Sequence, residues 1–542
     1  MTKRKRLLLI CSLLLAVCAA AAVLLLCGKS RSGLQMYSFN RKLKPVETDD
    51  FCRTTYEIFP WSFCDSDGDG TGDLKGIISK LDYIQDLGFD QIWITPVHPS
   101  PSYHKYDVTD YYSIDPAFGT LEDYEKLLSE CHKRGIRVLM DLVLNHTAVN
   151  HEWFRKASDY LHELPSDWAP DPSYCKYFSY YNFSRQPQDK YAPVEGTNWY
   201  YEAQFWSGMP DLNLDSDDVR SEITDIVKFW LDKGVDGFRL DATTSYHTGN
   251  APANTQFLRW FCDLCRSIKQ DCYIVGEAWT DRNNIAELYS SGIDSLFNFP
   301  FSGNEGYVRN AVSGFLKASD LVRAMEYSEE AFEAKNPDFT DAPFYTNHDM
   351  ARSAGYYAVD EGPVTKMSYA VSLLMRGCSF MYYGEEIGMK GSGKDENKRA
   401  PMYWSDDATA KGMCSGPPDM DEVTMKFPSL NDQIKDDSSL YNWFRQVIRV
   451  RRAFPSIARG ETEGTELSTD SAAVFFRRNT EYGDVLIAMN FGEEQCSIDL
   501  SSLGISTELA AVLNTSEEKI TKEKDLLTLP SCSIAVLTVG QK

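Results

Sequence analysis

Residues Leu121–His146, LEDYEKLLSECHKRGIRVLMDLVLNH, decide the fold of this chain. Apolar side chains recur at helical spacing from Leu121 to Lys133, Gly135 stops the helix, and Arg137–Leu142 follows as a short strand whose end carries polar groups. The same order returns at Ser221–Ala242, SEITDIVKFWLDKGVDGFRLDA, with Gly234 as the stop. Working outward, short apolar runs at Thr55–Phe59, Gln91–Pro96, Tyr273–Val275, Ser295–Phe299, Phe344–Thr346 and Ser379–Tyr383 join Arg137–Leu142 and Gly237–Leu240 as candidate strands. Strand–helix alternation repeated about eight times predicts an α/β fold, a (β/α)8 TIM barrel.

Two intervals depart from this rhythm. Residues 147–210 are dense in Tyr, Trp, Pro, Ser and Asp and too long for a structureless loop, so they predict a subdomain inserted after the third strand. From residue 453 onward, alternating runs at Ala472–Arg478, Asp484–Asn490 and Ser533–Val539 predict a C-terminal antiparallel β-domain, a sandwich over 453–542. The barrel itself then occupies 49–146 and 211–452.

At the N-terminus, Lys3, Arg4, Lys5 and Arg6 precede an apolar run of 21 residues, Leu7–Cys27. Signal-peptide cores have about 7–15 such residues and a membrane span needs about 20, so 1–27 is a signal peptide or an N-terminal membrane anchor. Either way the basic flank holds that end inside. The body is expected to be extracellular, secreted or anchored, touching the membrane only through this segment. Polar residues 28–48 read as a linker. A net charge of −24 argues against a nucleic-acid partner. The 30 Tyr, 28 Phe and 11 Trp suit the apolar faces of sugar rings, although most of them fill core. Three of the 14 cysteines (Cys11, Cys18, Cys27) lie in the apolar run and leave an odd number in the body, hence at least one free thiol or intermolecular bridge. Cys262 and Cys265, with Cys272 nearby, fall on the helical pattern Phe257–Ile268 without a second ligand pair, which predicts structural or disulfide-bonded cysteines rather than zinc.

Barrels of this kind place their reactive groups at the C-terminal ends of the strands. The third strand ends in Asp141, Asn145 and His146 ("DLVLNH"), and the fourth in Arg239 and Asp241 ("GFRLDA"). The fifth ends in Glu277 ("GEAW"), the seventh in His348 and Asp349 ("TNHD"). Any one of these is ordinarily a helix cap or a surface charge; four strand ends delivering carboxylates to one face are not. Cleaving a glycosidic bond needs this inventory, one carboxylic acid to protonate the leaving oxygen and one carboxylate to act behind the anomeric carbon. Neighbouring carboxylates raise one another's pKa, which keeps an acid protonated near neutrality. Arg239, two residues before Asp241 on the same strand face, favours the ionised form of Asp241.

These segments, together with YHKYDVTDYY (Tyr103–Tyr112), FMYYGEEIGM (Phe380–Met389) and RAPMYW (Arg399–Trp404), resemble the motifs of the α-amylase family of glycoside hydrolases, in the family's order from about Tyr56 to Trp404. The resemblance implies that Asp241 is the nucleophile, that Glu277 is the general acid and base, and that Asp349 holds ring hydroxyls and steadies the transition state. It implies that Arg239, His146 and His348 orient these groups or bind the sugar, and that Tyr106 and Asp107 stack on and bind the same ring. "MPDLN" (Met209–Asn213) is similar to the motif of a branch between oligo-1,6-glucosidases and neopullulanases. Ala242 stands where α-1,6-specific relatives carry valine, which favours α-1,4 bonds. Thr244 and Ser245 replace the Lys-His pair of many α-amylases. The implied substrate is an α-glucan or maltooligosaccharide, with α-glucosidase, neopullulanase or glucanotransferase activity as alternatives. A non-catalytic alternative is the amylase-like heavy chain of an amino-acid transporter, which has no chemical need for the carboxylates present here.

"DSDGDGTGD" sets Asp65, Asp67, Asp69 and Asp73 around Gly70, hard oxygen ligands at a spacing that suits Ca²⁺. Gly76 occupies the position where an EF-hand needs glutamate. The stretch instead resembles the family's metal loop after the first strand, which implies the Thr71 carbonyl as a further ligand and a structural role for the ion.

Overall fold

The computed structural model describes residues 35–540. Their centre is a parallel sheet of seven strands: β1 (Thr54–Ile58), β2 (Gln91–Ile94), β3 (Arg137–Leu142), β7 (Gly237–Leu240), β8 (Tyr273–Gly276), β9 (Ser295–Leu296) and β10 (Ser379–Tyr382). The sheet order is β10-β1-β2-β3-β7-β8-β9, so each strand pairs with the next strand of the barrel and β10 returns to pair with β1. The ring is closed between β9 and β10 by residues 342–344, through single parallel bridges Phe297–Ala342 and Phe344–Phe380. This is the (β/α)8 barrel, with one departure from expectation. The predicted strand Phe344–Thr346 makes one isolated bridge, Phe344–Phe380, instead of a ladder; Pro343, between the two bridged residues Ala342 and Phe344, has no N–H to donate. Its carbonyl still accepts from Phe380 N at 2.9 Å, which seals the barrel.

The barrel strands are buried on both faces, as expected where helices cover a parallel sheet. Trp93, Leu139, Tyr273, Val275, Phe297 and Phe380 fill the interior. The helix Leu121–His132 begins on a capping box, with Thr120 and Asp123 exchanging bonds, and lays Tyr124, Leu127, Leu128 and Cys131 against the sheet. Cys262 and Cys265 are buried on helix Ala251–Ile268.

The insertion is clamped at its base. Thr147 N donates to Pro210 O, and Asn145 Nδ2 donates to Asp211 Oδ1, so both ends leave the barrel from one point. Between them lie helix Glu152–Glu163 and a small sheet of β4 (Phe183–Ser184), β5 (Tyr191–Pro193) and β6 (Tyr200–Glu202). After helix Leu440–Ala453 come β11 (Glu461–Gly464), β12 (Ala472–Arg478), β13 (Val485–Asn490), β14 (Cys496–Asp499), β15 (Ser506–Asn514), β16 (Thr521–Glu523), β17 (Leu526–Leu529) and β18 (Ser533–Gly540). They form one five-stranded and one three-stranded antiparallel sheet. Along β12, Ala472, Val474 and Phe476 pack between the two sheets while Ala473 and Phe475 join the barrel core, a period-two alternation that buries both faces.

Within the stretch read as a linker, the described residues begin with a helix. Helix Gln35–Asn40 docks on β15, where Asn40 Nδ2 donates to Val512 O at 2.8 Å and Val512 N donates to Asn40 Oδ1 at 3.1 Å, with Met36 buried beside them. The apolar run 7–27 lies outside the described residues; among the described residues no helix is long and apolar enough to cross a membrane.

Candidate active site

One guanidinium organises the barrel mouth. Arg239, fully buried on β7, donates through Nη1 to Asp141 Oδ1 (3.0 Å) and Asp241 Oδ1 (2.8 Å), and through Nη2 to Glu277 Oε2 (2.6 Å). Its plane lies over the Trp93 ring. Asp241 and Glu277, from adjacent strand ends, are therefore bridged by a single cation. The backbone reinforces the pairing. Ala242 adopts a left-handed φ of 49° and turns its N–H back to Glu277 Oε2 at 3.3 Å, while Thr243 N and Oγ1 both donate to the Glu277 carbonyl. A residue held at positive φ without being glycine is the kind of local strain that active sites retain. Gly276 lets the two strand ends approach, since a Cβ there would stand 2.9 Å from Thr243 Cγ2 and Leu296 Cδ2.

A second chain of contacts joins β1 to the seventh strand position. His348 Nδ1 lies 2.6 Å from Glu57 Oε1, and its Nε2 lies 3.1 Å from Asp349 Oδ2 and 2.7 Å from the Tyr106 hydroxyl. Tyr106 passes its own proton to Asp141 Oδ2 at 3.0 Å and stacks on the His348 ring. Arg399 Nη2 donates to Asp349 Oδ1 at 2.7 Å, and its Nη1 donates to the Tyr103 hydroxyl.

These contacts separate the protonation states. Burial pushes Glu277 up to about 7; Arg239 opposes this, and the charges of Asp241 and Asp349 add to it. Burial also raises Asp241, opposed by its bond to Arg239. For Asp349 burial is outweighed by His348 and Arg399, which hold the carboxyl well below its usual range. Burial disfavours charge on His348, but Asp349 and Glu57 prevail and raise it to about 10. The hydrogen bonds fit the same result. With a proton on each ring nitrogen, the imidazolium can donate from Nδ1 to Glu57 and from Nε2 toward Asp349.

The structure thus brings together Asp241, Glu277, Asp349, Arg239, His348 and Tyr106. His146 sits at the edge of this group, with Nε2 3.2 Å from the Tyr106 carbonyl; burial lowers its pKa to about 4, leaving a neutral ring. Asp107 is not joined to the carboxylates: its Oδ1 is taken by the Ser100 and Ser102 hydroxyls in its own loop. Glu57 and Arg399 escaped the sequence reading as site residues. A glutamate inside an otherwise apolar strand run was the available signal for the first, and the "RAPMYW" segment for the second.

In the loop after β1, the carboxylates of Asp65, Asp67 and Asp73 converge within 4.8 Å of one another. Asp65 is oriented by the amides of Asp67, Gly68 and Gly70, and Asp73 by those of Ser66 and Gly76. Asp69 is exposed and outside this group; its Oδ1 accepts from Thr71 N. No ligating side chain fits at position 76, since a Cβ there would lie 1.8 Å from the Cys64 carbonyl.

The family model "Alpha amylase, catalytic domain" matches residues 57–460. "Alpha-amylase 3" of Dictyoglomus thermophilum is 36% identical over 470 residues, 86% of this chain and 89% of its own length. "Oligo-1,6-glucosidase" of Heyndrickxia coagulans is 31% identical over 522 residues, covering 82% and 92%. The solved structure of Eubacterium rectale Amy13B aligns with a TM-score of 0.93 at 45% identity, over 94% of this chain and all of that one. Match and geometry agree: this chain belongs to the α-amylase family of glycoside hydrolases.

Proposed function

We propose that this protein is an exported enzyme that hydrolyses α-1,4-glucosidic bonds of starch-like polysaccharides or maltooligosaccharides with retention of configuration. The observation that carries the reading is the bridging of Asp241 and Glu277 by Arg239, with Asp349 held ionised beside them. Retention requires two carboxyl groups close together, one ionised and one protonated. In this reading Asp241 attacks the anomeric carbon and forms a glycosyl ester, its negative charge supported by Arg239. Glu277, with its pKa near 7, gives its proton to the departing glycosidic oxygen and then takes one from the water that cleaves the ester. Asp349, backed by His348 and Arg399, offers acceptor oxygens to ring hydroxyls and negative charge to the oxocarbenium-like transition state. Tyr106 gives the ring a stacking face; His146 stays neutral beside it. Asp107, with one oxygen held by Ser100 and Ser102, lies near enough for its charge to act on His146, and in this reading binds the same ring.

The α-1,4 preference rests on Ala242 after the nucleophile; the relatives named above include both an α-amylase and an oligo-1,6-glucosidase. Products from amylose, pullulan, isomaltose and maltotriose test it. Maltooligosaccharides from amylose are expected, and action confined to isomaltose would reject the assignment. Export rests on the basic N-terminus and the apolar run to Cys27, and is tested by locating the protein in cell fractions.

We also propose a structural Ca²⁺ at Asp65, Asp67 and Asp73, whose three convergent, amide-anchored carboxylates suit a hard cation. When bound, the ion would neutralise this acidic cluster and tie the loop together, away from the bond-breaking groups. Asp69 does not join the converging set.

A further inference from the structure

Arg399 is the cation on Asp349, and the backbone on either side of it is fixed. The Lys398 carbonyl accepts from Arg352 Nε at 3.0 Å and from the Tyr382 hydroxyl at 3.3 Å. The Ala400 carbonyl accepts from the Tyr383 hydroxyl at 2.6 Å. Between these two held carbonyls the buried Arg399 side chain reaches Asp349 Oδ1 through Nη2 and the His348 carbonyl through Nε. Tyr382 ends β10 and Tyr383 follows it, so the segment that carries Arg399 hangs from the end of a barrel strand.

Arg352 ties in the other side. It lies three residues beyond Asp349 in the same loop; its backbone N–H donates to the Gly391 carbonyl, and its Nη1 donates to the Tyr383 carbonyl at 2.6 Å. One guanidinium therefore locks the loop of Asp349 to the loop of Arg399. That group is fully buried over the Tyr382 and Tyr383 rings, and the carboxylate paired with it, Glu385, stands 3.5 Å from Nη1. Burying a cation is costly, and an apolar side chain would fill the same space more cheaply. A planar fork of donors, however, reaches the carbonyls of residues 383 and 398 together.

We infer that Arg352 and Tyr383 are positioning residues: by holding the carbonyls on either side of Arg399 they aim its guanidinium at Asp349, so that Asp349 meets the sugar in one orientation. The inference rests on the α-glucan hydrolase reading and adds to it a support for Asp349 built from groups behind the site. The side-chain bonds of Arg352 and Tyr383 go to carbonyls, not to Asp241, Glu277 or Asp349, so their effect passes through Arg399. Such support matters because displacing a group by about 1 Å can cost on the order of 10²-fold in rate.

The test is steady-state turnover of amylose by Tyr383→Phe, Arg352→Lys and Arg399→Lys, with each of the first two also combined with the third. Tyr383→Phe keeps the ring and removes one bond, while Arg352→Lys keeps the charge and removes the fork. The expected kcat is lower by about threefold in Tyr383→Phe and by about tenfold or more in Arg352→Lys, with KM changed by less than about threefold. In the Arg399→Lys background the same two changes should cost less than about twofold further, because the residue they act through has already been replaced. Losses that multiply undiminished in that background, a loss carried by KM alone, or parental kcat in folded single variants would each overturn the inference while the hydrolase reading stands. Melting temperature reports on folding, and Tyr383→Phe, which preserves the packing, decides the matter if Arg352→Lys does not fold. A parent enzyme that cleaves no α-glucan would overturn both readings.

Discussion

Arg239 illustrates how one residue sets the chemistry of its neighbours. Because it touches Asp141, Asp241 and Glu277 together, the two carboxyls proposed to react share one positive charge, and burial keeps a proton on Glu277 up to about pH 7. Glu277→Gln is expected to lower kcat by about 10²–10⁴-fold on maltooligosaccharides. Asp241→Asn should lower it by about 10⁴-fold or more, because no ester can form. Near-parental turnover in either purified, folded variant would refute these roles. The pH dependence follows with a definite sign. The acid must be protonated, so kcat/KM should decline as pH rises through about 7, and a profile flat to pH 9 would contradict the assignment of Glu277.

Glu57 operates through His348, with which it forms a wholly buried pair. Glu57→Gln keeps the shape but removes one of the two anions that raise His348, so the imidazole titration followed by NMR should move down from about pH 10. Unfolding free energy should fall by about 1–3 kcal/mol. An unmoved titration would mean that Asp349 alone holds the imidazolium. Asp241, Glu277 and Asp349 were legible in the sequence because each follows a recognisable strand. Glu57 was not, because its partner lies 291 residues away and nothing local announces the contact.

At the scale of the element, two segments differ from their reading for identifiable reasons. Phe344–Thr346 has the apolar composition of a strand, but Pro343 removes a donor and the chain bridges its neighbours one residue at a time. The acidic loop reads as four equivalent aspartates, yet only Asp65, Asp67 and Asp73 converge, because the positive-φ turns at Gly68 and Gly70 leave Asp69 on the outside. If this loop holds Ca²⁺, chelation should lower the melting temperature and added Ca²⁺ should restore it, by about 2.7 kcal/mol when the ion is at one hundred times its Kd. Asp65→Asn combined with Asp73→Asn should abolish that response. A melting temperature indifferent to chelator would leave the loop an acidic turn.

Across the whole molecule, the C-terminal sandwich is fused to the barrel through the second face of β12, and helix Gln35–Asn40 is strapped to β15 of the same sandwich. Asn40→Ala would strand both the N–H and the C=O of Val512 in a buried place, at a cost of about 2–4 kcal/mol. A melting temperature within a degree of the parent's would show that this helix contributes nothing.

Periodicity and strand-end chemistry sufficed, from the sequence alone, to specify the barrel, the position of the insertion, the terminal β-domain and the three carboxylates, because each is written in residues adjacent along the chain. Which partner each carboxylate keeps, and therefore which one holds a proton, was decided only by tertiary structure. So were the bonds from Ser100 and Ser102 to Asp107 and the capture of Asn40 by β15. Charge, burial and hydrogen bonding act through space, and the groups that settle them here come from strands and loops far apart in the chain.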